Sequence, residues 1–291
     1  MMNKRNFQGF TLVEMIIVIV ITGIIGGIVA MFLRLPVQGY VDSARRAEMT
    51  DIADTALRRI SRDLRLALPN SVRVTTSGGS TYLEFIPTSG GGRYRDAQTA
   101  AGAGDILDFD ILDTSFDVIG TPPPPPVAGD QIVVYNMTSD PADSNPNAYR
   151  NGNRTDYKGL AGNTITITAK MFPHSSCQKD GNDFVVGGCR FQVVQFPVTY
   201  VCAPTSGGGD GTLRRWQEAG FAPFQPVAIP AGAVAPILAN NVSLCAINYD
   251  TSVAAQRYGL VTMHLTISEA GQDGIPENVT LFAATHVNNV P

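Results

Sequence analysis

The sequence predicts an α+β chain: one long N-terminal helix, transmembrane in its first part and amphipathic in its second, packed on a mostly antiparallel β-sheet with long loops. Three observations predict it. Residues 10–33 form a 24-residue apolar run broken by a single charge, Glu14. Apolar residues then recur at spacings of three and four as far as Ala67, a helical period. From residue 81 the pattern changes to short, alternating runs separated by Gly- and Pro-rich stretches.

Composition sets the outer bounds. The 291 residues suffice for one large domain or two small ones, and 44% apolar against 16% charged residues leaves enough to bury a core. A net charge of −4 argues against nucleic acid as the main partner, because phosphate binding wants a basic face. The 29 glycines and 19 prolines favour many turns over a helical bundle.

The first element follows from length. Twenty-four residues at 1.5 Å each make a helix of about 36 Å, enough for the hydrocarbon core of a bilayer. A secretory signal peptide has a shorter apolar region with its cleavage site after it. Here the polar leader "MMNKRNFQG" comes first and Gly9 precedes the apolar run. Lys4 and Arg5 lie before the span and Arg34, Arg45 and Arg46 after it, so loop charge does not orient the helix.

Glu14 is the costly residue, since an acid at the centre of a membrane helix loses about 2.5–3.5 kcal/mol on insertion scales. A cut between Gly9 and Phe10 leaves an ammonium four residues before Glu14, on the same helix face. That amine then meets the carboxylate within one helix, or a neighbouring copy displaced along an assembly axis brings its own. The rival reading is a plain signal anchor with an incidental acid.

The stretch "GFTLVEMIIVIVITGIIGG" closely resembles the prepilin N-terminal motif of the type IV pilin superfamily: Gly, Phe, then T-L-x-E and an apolar run. The resemblance implies the pilin fold, cleavage by prepilin peptidase between Gly9 and Phe10, N-methylation of Phe10, and Glu14 as the acid that guides subunit docking. Gly23, Gly26 and Gly27 lower helix propensity. They suit either local loss of helix in a filament, as the resemblance implies, or close helix packing in a membrane. Four segments are then expected: a leader at 1–9, a transmembrane helix at 10–33, a periplasmic amphipathic helix at 34–70 and a periplasmic β-rich domain at 71–291.

Pro36 and Gly39 are expected to kink the chain as it leaves the bilayer. The amphipathic helix beyond them turns Met49, Ile52, Ala53, Ala56, Ile60, Leu64 and Ala67 to one side, with Arg58, Arg62 and Arg65 on another face. Asp54–Arg58 is a favourable pair, and Pro69 and Asn70 end the helix. The arginines read as a solvated face or as an invitation to an anionic partner.

Strands are expected at 81–87, 105–112, 131–137, 163–170, 190–202, 211–217, 240–250, 259–268 and 277–287. In the eighth, Val261, Met263, Leu265 and Ile267 face one way and Thr262, His264 and Thr266 the other. The stretches 88–105, 120–130 and 139–159 read as exposed insertions, the second holding five consecutive prolines in a stiff polyproline segment.

Cys177, Cys189, Cys202 and Cys245 lie outside any CxxC pair, which fits disulfides in an oxidising compartment better than a zinc site. Three pairings are open, beside the alternative of four reduced thiols. We favour Cys177–Cys189, clipping a hairpin whose turn is "KDGN" (179–182), and Cys202–Cys245, tying two strands. Each bridge contributes about 3 kcal/mol. The cysteines and the prepilin motif together place the C-terminal part outside the cytoplasm.

A second resemblance covers the C-terminal third. Tyr200 followed by "TLRR", then "PILANNVSLCAINYD" and a final hairpin, resemble the J-type minor pseudopilins of type II secretion. The long loops, the cysteines and "RISRDLRLALPNSVRV" are closer to the MshO-type minor pilins of mannose-sensitive haemagglutinin (MSHA) pili. These resemblances imply other pilins, major and minor, and the inner-membrane assembly platform as partners, with the chain moving from the inner membrane to a filament or its tip.

Catalytic motifs are lacking. Three histidines occur, His174, His264 and His286, with no GxSxG, HExxH or Walker loop. His174 beside Cys177 resembles a base with its nucleophile, but a disulfide accounts for Cys177 better. "QKDGNDF" and "SEAGQDGIPEN" offer oxygens for calcium, yet neither matches an EF-hand loop and turn chemistry explains them. No enzyme activity, metal or cofactor is expected. The rival class is an anchored periplasmic enzyme or binding protein.

Overall fold

One α-helix, α1 (Leu12–Leu64), carries the first fifth of the chain. At 53 residues it is about 80 Å long. This computed structural model describes residues 9–180, 185–207, 209–250, 258–271 and 274–291. The chain divides into two compact units, residues 1–48 and 49–291. The helix runs through Pro36 and Gly39 without a break. It stops earlier than expected because the amides beyond it bond elsewhere. Leu66 and Ala67 close short turns onto Asp63 and Leu64, and the Leu68 amide donates to the Ile86 carbonyl at 2.8 Å. Proline at 69 further disfavours helix at Leu68.

The strands follow in chain order: β1 (Arg73–Ser77), β2 (Ser80–Phe85), β3 (Thr88–Tyr94), β4 (Asp113–Ile119), β5 (Gln131–Val134), β6 (Arg154–Ala161), β7 (Thr164–Lys170) and β8 (Gln178–Lys179). Then come β9 (Val185–Gly187), β10 (Arg190–Val194), β11 (Val198–Ala203), β12 (Thr212–Gln217), β13 (Ile237–Asn240), β14 (Val242–Asp250), β15 (Tyr258–Ala270) and β16 (Pro276–Asn288). Every described pairing between strands is antiparallel. The α+β arrangement is the expected one, a long N-terminal helix followed by antiparallel sheets. The single sheet is not: the strands divide among several.

Two sheets enclose the second half of α1. One has the order β1-β2-β11-β12-β13, the other β14-β15-β16. The expected stripe is buried: Met49, Ala53, Ala56, Ile60, Leu64 and Ala67 meet Phe85, Tyr200, Val261, Met263, Leu265 and Ile267 in one core. Ile52 packs at its margin. The chain passes from one sheet to the other at Asn241, and there Gly211 has no room for a side chain. A Cβ on it would stand 1.9 Å from the Val242 carbonyl oxygen. Cys202–Cys245 bonds β11 to β14, one strand from each sheet.

A second core corrects the loop assignments. β10, β3, β4, β7, β6 and β5 close into a barrel filled by Tyr94, Phe116, Phe191, Ile132 and Ile165. Phe116 and Phe191 meet edge to face at 5.2 Å. The stretch 88–105, read as an insertion, contains β3, in which Gly91 has no room for a side chain. A Cβ at Gly91 would come within 2.7 Å of the Phe191 carbonyl oxygen. The stretch 139–159 contains β6 and the fully buried Tyr149, Asn147 and Asn153. Its amides bond the backbone inside the fold: Asn153 donates to the Val134 carbonyl at 3.0 Å, and Asn136 accepts from the Ala148 amide at 2.9 Å. The stretch 105–112, read as a strand, is irregular because carboxylates take its amides. Asp113 accepts from Asp108 at 2.8 Å, and Asp117 from Asp105 at 3.0 Å. The run 190–202 is two strands, β10 and β11, separated by Pro197. The proline-rich stretch 120–130 contains no strand, but Pro123 is buried against the barrel beside Gly90.

Cys177 is bonded to Cys189 across the short β8–β9 pair. The expected "KDGN" turn lies partly outside the described residues, as do both stretches weighed for calcium.

A buried ion pair fastens the loop after β12. Arg73 donates to both Glu84 oxygens at 2.9 and 2.8 Å and to the carbonyls of Ala222 and Pro223 at 2.9 and 2.7 Å. Its guanidinium lies 3.7 Å over the Tyr149 ring. Burial pushes the Glu84 carboxyl up to about 7 against the pull of Arg73, and the neighbouring Glu218 adds to the push.

Candidate functional site: the N-terminal motif

Gly9, Phe10 and Thr11 are exposed, irregular backbone leading into α1. Thr11 is the N-cap. Its carbonyl accepts from the Met15 amide at 3.2 Å, and its hydroxyl from the Glu14 amide at 3.3 Å. Thr-x-x-Glu is the spacing of a capping box, in which the cap hydroxyl holds the amide three residues on. Glu14 therefore lies in the first helical turn, where the helix dipole favours negative charge. The motif was read from the sequence as an assembly signal, and its role as a helix start was missed. The signal was present: a threonine three residues before a glutamate, at the head of an apolar run.

The rest of the segment is apolar all round and open. Phe10, Leu12, Met31 and Phe32 are each at least 75% exposed, and none of the 18 residues of its most apolar window is buried. Apolar area is stabilised by about 25 cal/mol per Å2 when removed from water, so this surface requires a covering. Among the described residues, α1 is the one helix long and apolar enough to cross a membrane. The Thr22 hydroxyl donates to the Val18 carbonyl, keeping a polar group satisfied within the helix.

Elsewhere the cysteine weighed as a nucleophile is already paired. Cys177 is bonded to Cys189, so it is not available as a nucleophile beside His174, whose ring stands 6.4 Å from that of Tyr135. Asp96 approaches both sulfurs as a metal ligand would, yet those sulfurs are spent on each other. His264 is exposed and packs on Phe282 at 4.7 Å, and His286 is exposed. Residues 1–8, the rest of the expected leader, lie outside the described residues.

Residues 4–30 match the family model described as the prokaryotic N-terminal methylation motif, which is typical of type IV pilins and pseudopilins. The motif implies processing by prepilin peptidase and a pilus-assembly context. No curated protein and no solved structure matches the chain.

Proposed function

We propose that the chain is a non-enzymatic minor pilin of an MSHA-type pilus, cleaved between Gly9 and Phe10 and N-methylated at Phe10. One observation carries the reading. An exposed Gly9–Phe10 bond stands directly before a capped helix whose first part is open and apolar, with the lone acid of residues 10–33 in its first turn. Before assembly that surface lies in the inner membrane, with the cysteine-bridged part in the periplasm. In the filament other pilins cover it, and Glu14 receives the freed amine of Phe10 from a neighbour. The inner-membrane platform drives the transfer, and the sheets stand at or near the tip.

The test has two arms. Co-expression with prepilin peptidase should shorten the intact mass by the nine leader residues. Glu14→Val should leave a folded, membrane-inserted chain that fails to enter filaments. An unprocessed N-terminus in functioning protein, or normal incorporation of the variant, refutes the proposal.

A second reading has its own support. The order after Val198, with Tyr200 on β11, the TLRR segment on β12, then β13, β14 and the β15–β16 hairpin, is the order that resembles J-type pseudopilins of type II secretion. Co-purification separates the two: a type II secretion platform on one side, an MSHA-type pilus platform on the other.

A further inference from the structure

β16 is an edge. Along its whole length it pairs with β15, from Ala270↔Pro276 to Tyr258↔Asn288, and among the described residues no strand lies on its other side. The amides and carbonyls that such an edge turns away from its partner strand are a template for another strand. A groove of about 420 Å3 lies at this edge. Leu57 and Leu281 contribute apolar surface, Phe282 stands at its margin, and Arg58, Arg62 and Arg65 line the helix side.

The charges choose the occupant. Asp54 also lines the groove and already bonds Arg58 at 2.6 Å. The carboxylate nearest Arg62, that of Asp63, stands 4.0 Å away and is shared with Tyr200 and Arg215. Arg65 is exposed, and no described acid ion-pairs with it. A helix laid in the groove leaves the edge of β16 unpaired. A second copy adding through its own β16 brings a second arginine row to the same seam, and like charges oppose that pairing.

We propose that this groove seats an extended acidic segment of another protein, added to β16 as a fourth strand with its carboxylates on Arg62 and Arg65. Backbone hydrogen bonds would supply the fit common to all strand addition, and the alternating carboxylates would supply the selection. The inference stands on residues 54–65 and 276–288 alone and does not depend on the pilin reading.

The test uses the full chain in nonionic detergent and a fluorescein-labelled decapeptide of alternating valine and aspartate. Anisotropy should report saturable binding that weakens with added salt. Arg62→Glu with Arg65→Glu should weaken it by about tenfold or more while the circular dichroism stays unchanged. The same peptide N-methylated at alternate amides should lose most of its binding, and a valine–lysine decapeptide should not bind. Equal binding of the lysine peptide, equal binding of the N-methylated peptide, indifference to the charge reversal, or no binding of the aspartate peptide overturns the proposal. Efficient disulfide cross-linking between two Thr280→Cys copies overturns it as well, by assigning the edge to a second copy.

Discussion

Arg73→Met removes the cation from a buried pair and leaves a shape close to the original. The Glu84 side chain is wholly enclosed, so above neutral pH the substitution makes folding either bury an unpaired carboxylate or take up a proton to neutralise it. Loss of one partner of such a pair costs about 3–5 kcal/mol. The same substitution at pH 5 finds Glu84 already protonated, because its carboxyl is pushed up to about 7 in the folded chain. What remains is the loss of the bonds to Ala222 and Pro223, about 1–2 kcal/mol.

The sign follows from proton counting. Between the ordinary glutamate value and about 7 the folded state holds a proton that the unfolded state has released. Parent stability therefore falls as pH rises through that window, by up to about 3 kcal/mol at ~1.4 kcal/mol per unit. In Arg73→Met the folded value rises further, and the fall continues to higher pH. The assay is urea unfolding of the full chain in nonionic detergent, read by the fluorescence of Trp216, the sole tryptophan, which is buried on β12. A cost equal at pH 5 and pH 8, or one that Glu84→Gln in the same background fails to relieve at pH 8, refutes the reasoning.

Three further outcomes are expected. Paired serine substitution at Cys202 and Cys245, which closes a 43-residue loop, should cost about 4 kcal/mol, and at Cys177 and Cys189, with 12 residues, about 3 kcal/mol; the same unfolding assay checks the order. Tyr200→Phe deletes a hydroxyl that donates to Asp63 at 2.6 Å and should cost about 1–3 kcal/mol, whereas no loss would mean that Arg215 suffices for Asp63. Met263→Ala opens a void among Val261, Leu265 and the helix stripe and should cost about 2–5 kcal/mol.

The parts legible in the sequence are those where one periodicity met one core. Met49 to Ala67 reads as a stripe and is one; Val261, Met263, Leu265 and Ile267 are buried as alternation requires, although Thr266 on the other face is buried as well. The barrel was legible only in part: β5, β7 and β10 lie within expected strands, whereas β3 and β6 lie in stretches read as insertions. "TSGGGRY" has the composition of a turn, yet the contact of Gly91 with Phe191 makes the absence of a side chain the condition for pairing. "DILDFDIL" has the alternation of a strand, yet Asp113 and Asp117 accept its amides and replace the ladder. Asn136, Asn147 and Asn153 look like loop residues because nothing in a single sequence shows that their amides bond backbone in the interior. The N-terminal motif was legible as a pattern of residue types, while the capping by Thr11 emerged only with the hydrogen bonds.

From Leu12 to Leu33 every side chain stands open. For such a sleeve, water is never a resting place. On the proposed function, the molecule leaves one oily surrounding only by sliding directly into another, so the transfer happens at a shared boundary and is as reversible as the two surroundings are alike. What fixes its direction has to be a small number of polar contacts and the work of whatever machinery moves it, since the greasy surface itself does not distinguish departure from arrival.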